Sequence, residues 1–291
     1  MNRPNAVLVD ATALVCTAAK EVGIPCIIVS NFTWEFIYKK MHADYVYNDE
    51  HTKQKFIDMI ERCTADYCNA SHYLQLPGCC EIPNGYPEER VLISPLMCRL
   101  AKCTRDGMRL KYNIPVHAKV VVFGFGGQSF MGYNLGADTL PVGQDWYCLV
   151  LGGEQYTDFG SNKFIPIHRD VYVPDILVGA DVMLGKIGYG TVSECLSSLI
   201  PLIYVSRDGW PEERPLVQLM EKYCSIVEMP RLQFEEGKWA TYLEHAIALK
   251  EKMPVDKMEN ELQYDSAIDT IQSKIEEIVA SNSCIDSSNG G

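Results

Sequence analysis

Two successive series of short, continuous apolar runs, each followed by a helical stretch, constrain this chain more than any other feature. In the first series AVLVD (6–10) reads as a strand, ATALVCTAAKEVG as a helix and IPCIIVSN (24–31) as a second strand. Unbroken apolar runs of five or six residues suit parallel strands covered on both faces. Helical stretches follow at 32–42 and 50–63. The segment from Asp66 to Pro95, interrupted by Pro77, Gly78, Pro83, Gly85 and Pro87, reads as a strand, a long loop and a last strand, VLISPL (91–96).

A charged stretch separates this series from the second. There KVVVF, WYCLVLGG (146–153), KFIPIHRD (163–170), DVMLG (181–185) and PLIYVSRDG (201–209) read as strands, with helices at 173–180, 191–199 and 211–223. Leu216, Leu219, Met220 and Tyr223 share one face of the last of these. Tyr264, Ile268, Ile271, Ile275 and Ile278 step by four and three and predict a long amphipathic helix. The expected fold is α/β: two Rossmann-like doubly wound domains, with a ligand outside the carboxyl ends of the strands in the cleft between them. The expected divisions are 1–105, 106–280 and a disordered tail at 281–291.

GKIGYGTVSE (185–194) is the strongest chemical signal. It joins a buried strand to a helix whose apolar face is Val192, Cys195, Leu196 and Leu199. Gly188 and Gly190 permit positive φ and let a ligand touch the backbone, and the helix start offers unpaired N–H groups to an anion. Thr191 adds a hydroxyl, and Tyr189 and Lys186 flank the turn. Glu194, one turn further in, is placed to accept from ribose hydroxyls rather than to meet phosphate. An ordinary turn capped by Thr191, with Glu194 complementing the helix dipole, explains the same residues. Both readings stay open on the residues alone. No Walker A loop is present, because Lys186 precedes the turn.

Two further loops follow strands. GFGGQS (124–129) offers Gly124, Gly126, Gly127, Gln128 and Ser129, without the third glycine of a dinucleotide fingerprint. SRDGWPEERP (206–215) offers Arg207, Asp208, Glu213 and Arg214 to sugar hydroxyls, although a capped helix start explains Glu212 and Glu213 equally.

The chain has 26 Lys and Arg against 38 Asp and Glu, a net charge of −12, and no basic run, which argues against nucleic-acid partners. No apolar stretch is long enough for an integral membrane segment, and the N-terminus lacks a secretion signal. Twelve cysteines occur without a CxxC pair. Cys63, Cys68, His72, Cys79 and Cys80 fit no common zinc spacing, so no metal is expected and a cytoplasmic, reduced setting fits.

In order, GFGGQS, IHRDVYVPDIL, DVMLGKIGYGTVSE and YVSRDGWPEERP resemble the C-terminal domain of GT-B glycosyltransferases of the family 28 type. More closely, the chain resembles the glycosyltransferase-like N-terminal region of L-arabinokinases from about residue 4 to about residue 255, through NFTWEFIY and GKWATYLEHAIALK. The resemblance implies that Gly188–Thr191 receives the diphosphate of a nucleotide-sugar, that Glu194 binds its ribose and that Arg169–Val173 runs along the base. It also implies that Asp208–Arg214 contacts the donor sugar and that Gly124–Ser129 faces the cleft. Glu213 and Arg214 depart from the Gln or Asp-Gln of many transferases, which leaves the donor sugar open.

Two departures bear on activity. The arabinokinase-like proteins that phosphorylate sugars do so with a separate kinase domain after this region, so kinase activity is not expected to carry over to these residues. The N-terminal domain starts at a strand that several others precede in the family, so it is expected to be incomplete and to lack the usual base. Asp10 and His168 are the candidates for that base, with Asn31 and Trp34 facing an acceptor. The expected function is binding of a nucleotide-sugar, a UDP-sugar as substrate with no cofactor, and hexosyl transfer to an unknown acceptor. The alternatives are a non-catalytic or regulatory nucleotide-sugar module and a sugar-nucleotide epimerase.

Overall fold

The computed structural model describes residues 4–125, 135–155, 159, 161–250 and 261–288. The chain divides into two compact units. The first comprises Met1–Met97, Gly209–Pro215 and Leu262–Gly291, and the second Cys98–Asp208 and Leu216–Glu261.

The first unit holds a four-stranded parallel sheet in the order β1 (Val7–Val9), β2 (Cys26–Ser30), β3 (His72–Gln75), β4 (Val91–Ile93). The alternation of side chains along a strand sends neighbours to opposite faces. Ile28 and Tyr73 pack on one face with Cys16 of α1 (Ala13–Glu21) and Tyr67 of α3 (Glu50–Tyr67). Ile27 and Leu74 point to the other face, where Ile271, Ile275 and Ile278 of the last helix (Ala267–Ser288) cover them. Burying side chains of this size contributes roughly 1.5–3 kcal/mol each. Before this helix begins, the Leu96 amide donates to the Leu262 carbonyl at 2.9 Å. β1 forms an edge of the sheet, and Leu8 on it is 55% exposed.

The last helix corrects the expected divisions. It joins the first unit rather than the 106–280 block, because a parallel sheet must be covered on both faces and this helix supplies the second cover. It also continues to Ser288, through residues expected to be a tail. Its seam is narrower than the periodicity suggested, since Ile268 is 69% exposed.

The second unit holds a six-stranded parallel sheet in the order β10-β9-β8-β5-β6-β7. Its strands are β5 (Lys119–Gly124), β6 (Trp146–Leu151), β7 (Phe164–Ile167), β8 (Val182–Gly185), β9 (Leu202–Tyr204) and β10 (Ile226–Glu228). The chain adds β6 and β7 on one side of β5, then crosses over to add β8, β9 and β10 on the other. β5 is fully buried from Val120 to Phe123, as its apolar run requires. Phe123 packs 5.0 Å from Trp239, which stacks on Phe234 at 5.6 Å and donates its indole N–H to the Phe234 carbonyl.

The charged stretch before β5, expected as a connection, contains a helix, α4 (Arg105–Lys111), capped by the Thr104 hydroxyl on the Gly107 amide. The helix is anchored by Arg109, a guanidinium only 2% exposed. Arg109 donates to Asp181 at 2.9 Å and to the carbonyls of Gly179, Pro115, Val116 and Ala118. Asp181 accepts in addition from the Val120 amide and from Arg105. Burial pushes the Arg109 pKa down, and the surrounding acceptors are what keep such a buried charge tolerable.

Candidate functional site

The reversal between β5 and β8 produces a topological switch point. The chain goes from β5 to one neighbour, β6, and from β8 to the opposite one, β9, and ligands of open α/β sheets bind outside the carboxyl ends of the strands at such a reversal. Gly124 and Gly185 are the last residues of β5 and β8 and are paired in register. Both glycine loops singled out from the sequence therefore begin side by side at this point. Gly126, Gly127, Gln128 and Ser129 lie outside the described residues.

The glycines of the β8 turn have different reasons for being glycine. A Cβ on Gly185 would stand 2.2 Å from the Gly124 carbonyl oxygen, so the close approach of the two strands excludes any side chain there. At Gly188 and Gly190 a Cβ would meet nothing within 4 Å. Neither adopts positive φ: Gly188 is extended at φ −165°, and Gly190 lies in the first turn of α6 (Tyr189–Ser197). This corrects the conformational argument from sequence. Backbone geometry and packing leave these two positions free to carry a side chain, and glycine keeps the helix start bare.

That helix start is uncapped by any side chain. Gly188 is the N-cap and has none to offer, and Thr191 sits inside the first turn instead of capping it. Among the described residues no side chain caps the amides of Gly190 and Thr191, and the positive end of the helix dipole lies behind them. Arg207 adds charge here, donating from Nη2 to the Ile187 carbonyl at 2.7 Å, directly before the N-cap. Lys186 is half-buried in the same turn, and Asp208 is exposed beyond β9.

Glu194 lies on the second turn of α6 and is 5% exposed. Burial pushes its carboxyl pKa up, and Arg99 opposes this. Arg99 donates to Oε1 from Nε at 2.7 Å, and its Nη2 lies 2.5 Å from the same oxygen as an ion pair. Among the described residues Oε2 has no hydrogen bond, so one acceptor oxygen remains for a hydroxyl. The Arg99 guanidinium lies 5.5 Å from the Tyr172 ring, on which Lys102 also rests at 4.5 Å. Sequence reasoning missed Arg99 because its partner is 95 residues away.

His168 and Arg169 follow β7, which β5 and β6 separate from β8, roughly 14 Å at normal strand spacing. Arg169 turns onto Glu154, its Nε 2.6 Å from Oε1. The His168 ring is 64% exposed, and its Nδ1 accepts from the Asp170 amide.

Asp10 and Glu213 belong to the first unit. Asp10 is exposed at the end of β1 and accepts from the Ser30 hydroxyl at 3.1 Å. Glu213 is buried at the start of α7 (Glu213–Tyr223). Its neighbour Glu212 makes the more informative contacts: Oε1 accepts from Asn31 at 3.0 Å and Oε2 from the Trp210 indole at 2.9 Å. Two acids in a row gave no means of telling which one is fixed. A cavity of about 630 Å³ in the first unit, between α2 (Trp34–Asp44) and α3, contains none of the candidates. Among the described residues no cluster of three His, Cys, Asp or Glu is placed to hold a metal. Within them no helix is long and apolar enough to cross a membrane.

No family model matches the chain. Over 244 residues, 84% of this chain, it is 38% identical to L-arabinokinase of Arabidopsis thaliana, and it spans 22% of that protein's length. Among solved structures it is similar to the glycosyltransferase of kitacinnamycin, with TM-score 0.65, 18% identity and 95% and 76% of the two chains covered. The calicheamicin glycosyltransferase CalG4 gives TM-score 0.65 at 14% identity, with 95% and 74% covered. UGT89C1 of Arabidopsis thaliana, solved with UDP-L-rhamnose, gives TM-score 0.60 at 16% identity, with 96% and 73% covered. The α/β units with their parallel sheets have the GT-B glycosyltransferase fold, and the chain is a homologue of about a fifth of L-arabinokinase.

Proposed function

We propose that the second unit binds a UDP-sugar and that the chain transfers the hexosyl group to an acceptor. In this reading the diphosphate lies on the amides of Gly190 and Thr191, and Glu194 accepts from the ribose. The observation that carries it is the start of α6, without a side-chain cap among the described residues, at the switch point of the sheet, with two glycines that neither conformation nor packing demands. UGT89C1, which shares the fold, binds UDP-L-rhamnose in its solved complex, and this supports a nucleotide-sugar ligand.

Transfer breaks the bond from the sugar C1 to the β-phosphate oxygen and forms one from C1 to an acceptor hydroxyl oxygen. The leaving UDP gains negative charge, which the helix N-terminus, Arg207 and Lys186 stabilise. The hydroxyl proton passes to a base, for which Asp10 and His168 are the candidates. The scheme uses no metal or other cofactor. Among the described residues eleven cysteines are free of disulfides, which suits the reducing cytoplasm as its setting.

Titration with UDP and a panel of UDP-sugars, followed by calorimetry, tests the binding. Absence of heat or of a thermal shift with every one of them overturns the reading. A second reading, binding without transfer, is favoured by Asp10 and His168 both being exposed, Asp10 accepting from Ser30 of β2 and His168 from the Asp170 amide. Turnover of a bound UDP-sugar to UDP with an acceptor present decides between the two.

A further inference from the structure

Among the described residues Arg99 is the basic side chain that pairs with the buried Glu194 carboxylate, and it does so from the segment just before α4. Its Nε donates to Oε1 of Glu194 at 2.7 Å, and its Nη2 stands 2.5 Å from the same oxygen. The guanidinium is itself fixed from behind. It lies over the ring of Tyr172, whose hydroxyl donates to the carbonyl of Leu100, the residue that follows Arg99. Asp175 of α5 (Val173–Leu177) binds the same segment, accepting from the amides of Lys102 and Cys103. These contacts anchor the segment that carries Arg99, so that the side chain meets the buried acid with less rotamer freedom to lose than a free surface arginine has.

We propose that Arg99 is a positioning residue for nucleotide binding: it holds Glu194 ionised and oriented, with Oε1 occupied and Oε2 left to accept a ribose hydroxyl. The proposal rests on the reading of Glu194 given above. Its chemical reason is that a carboxyl in this environment loses its charge unless a cation compensates it, and a protonated acid is a poor acceptor. Burial does push the Glu194 pKa up, and Arg99 is what opposes it. The other ionisable groups around the pair are Lys102 and Tyr172 on the Arg99 side, Asp175 on α5 and Cys195 beside Glu194 on α6. Of these only Lys102 adds positive charge, and it rests on the Tyr172 ring.

The test compares the full chain with Arg99→Gln, Arg99→Lys, Glu194→Gln and the Arg99→Gln/Glu194→Gln double variant. UDP affinity is measured by calorimetry from pH 5.5 to 8. Arg99→Gln should bind UDP at least tenfold more weakly at pH 6. Its affinity should recover toward higher pH, so that its pH profile is displaced to higher pH than that of the native protein. Arg99→Lys should restore part of the affinity, and Arg99→Gln should have no further effect once Glu194 is Gln. Unchanged or tighter UDP binding by Arg99→Gln at every pH overturns the proposal, as does an equal loss in the Glu194→Gln background.

Thermal stability separates failure of the proposal from failure of the site reading. Without Arg99 the folded pKa of Glu194 rises further above its ordinary 4.5, so stability present at low pH is lost as pH rises through that folded pKa. Arg99→Gln should therefore lose stability between pH 5 and 8 relative to the native protein, and the double variant should not. If the native protein binds no UDP but this stability pattern holds, the donor-site reading fails while the ion pair stands. If the native protein binds UDP and the stability pattern is absent, only the role given to Arg99 falls.

Discussion

Gly190→Ala separates a ligand-binding helix start from an ordinary one, because its effects on stability and on binding should have opposite signs. Gly190 is exposed in the first turn of α6, and a Cβ there meets nothing within 4 Å. Alanine is favoured over glycine by roughly 0.8–1.0 kcal/mol in a helix interior and by less in a first turn. The variant should thus be as stable as the native protein or up to about 1 kcal/mol more stable in urea denaturation. A diphosphate oxygen on the first-turn amides would sit about 2.9 Å from nitrogen, in the space the new methyl enters. UDP affinity should fall at least tenfold, about 1.4 kcal/mol.

Gly185→Ala is the comparison. Its Cβ would lie 2.2 Å from the Gly124 carbonyl oxygen, about 1 Å inside the ordinary ~3.3 Å contact, so β5 and β8 must part. Overpacking of this kind costs about 1–3 kcal/mol, and here it should lower stability before it affects binding. If Gly190→Ala binds UDP as tightly as a native protein that does bind it, no ligand approaches this turn. If Gly185→Ala proves as stable as the native protein, the packing argument for that glycine is refuted.

Three other outcomes follow from the interior. Arg109→Met leaves Asp181 buried without its main partner and should cost about 3–5 kcal/mol in chemical denaturation, most of it recovered in Arg109→Met/Asp181→Leu. The Glu35 pKa is pushed up mainly by burial, against Lys39, so its stabilising contribution is full below its ordinary 4.5 and is lost as pH rises through the folded pKa. Glu35→Gln should therefore gain stability over the native protein as melting is followed from pH 4 to 8, and parallel curves would refute this. Ile278→Ala should cost about 2–5 kcal/mol by uncovering one face of the first sheet, whereas Ile268→Ala should stay within about 0.5 kcal/mol, both read by urea denaturation.

The sequence by itself determined the elements and their class. The runs around Ile27, Val121 and Leu184 are apolar on both faces, and a parallel sheet covered on each side accommodates such strands. The strand–turn–helix at 181–199 was legible for the same reason, since its apolar strand and its helical face meet at a glycine turn. What tertiary structure alone decided was which distant segments share a neighbourhood. Periodicity places Ile271 and Ile278 on one helical face but says nothing of which sheet that face covers, and the uncovered side of β2 and β3 settled it.

The same holds at the candidate site. Glycine's presence at 185, 188 and 190 was plain, but its cause was not. One glycine is demanded by the Gly124 carbonyl on a neighbouring strand, while two are demanded by nothing in the fold. Arg99 and Glu194, or Asn31 and Glu212, come together across 95 and 181 residues, and no local pattern encodes pairs so far apart. Helices and strands arise from short-range periodicity, whereas a buried charge finds its partner only when the chain between them has folded.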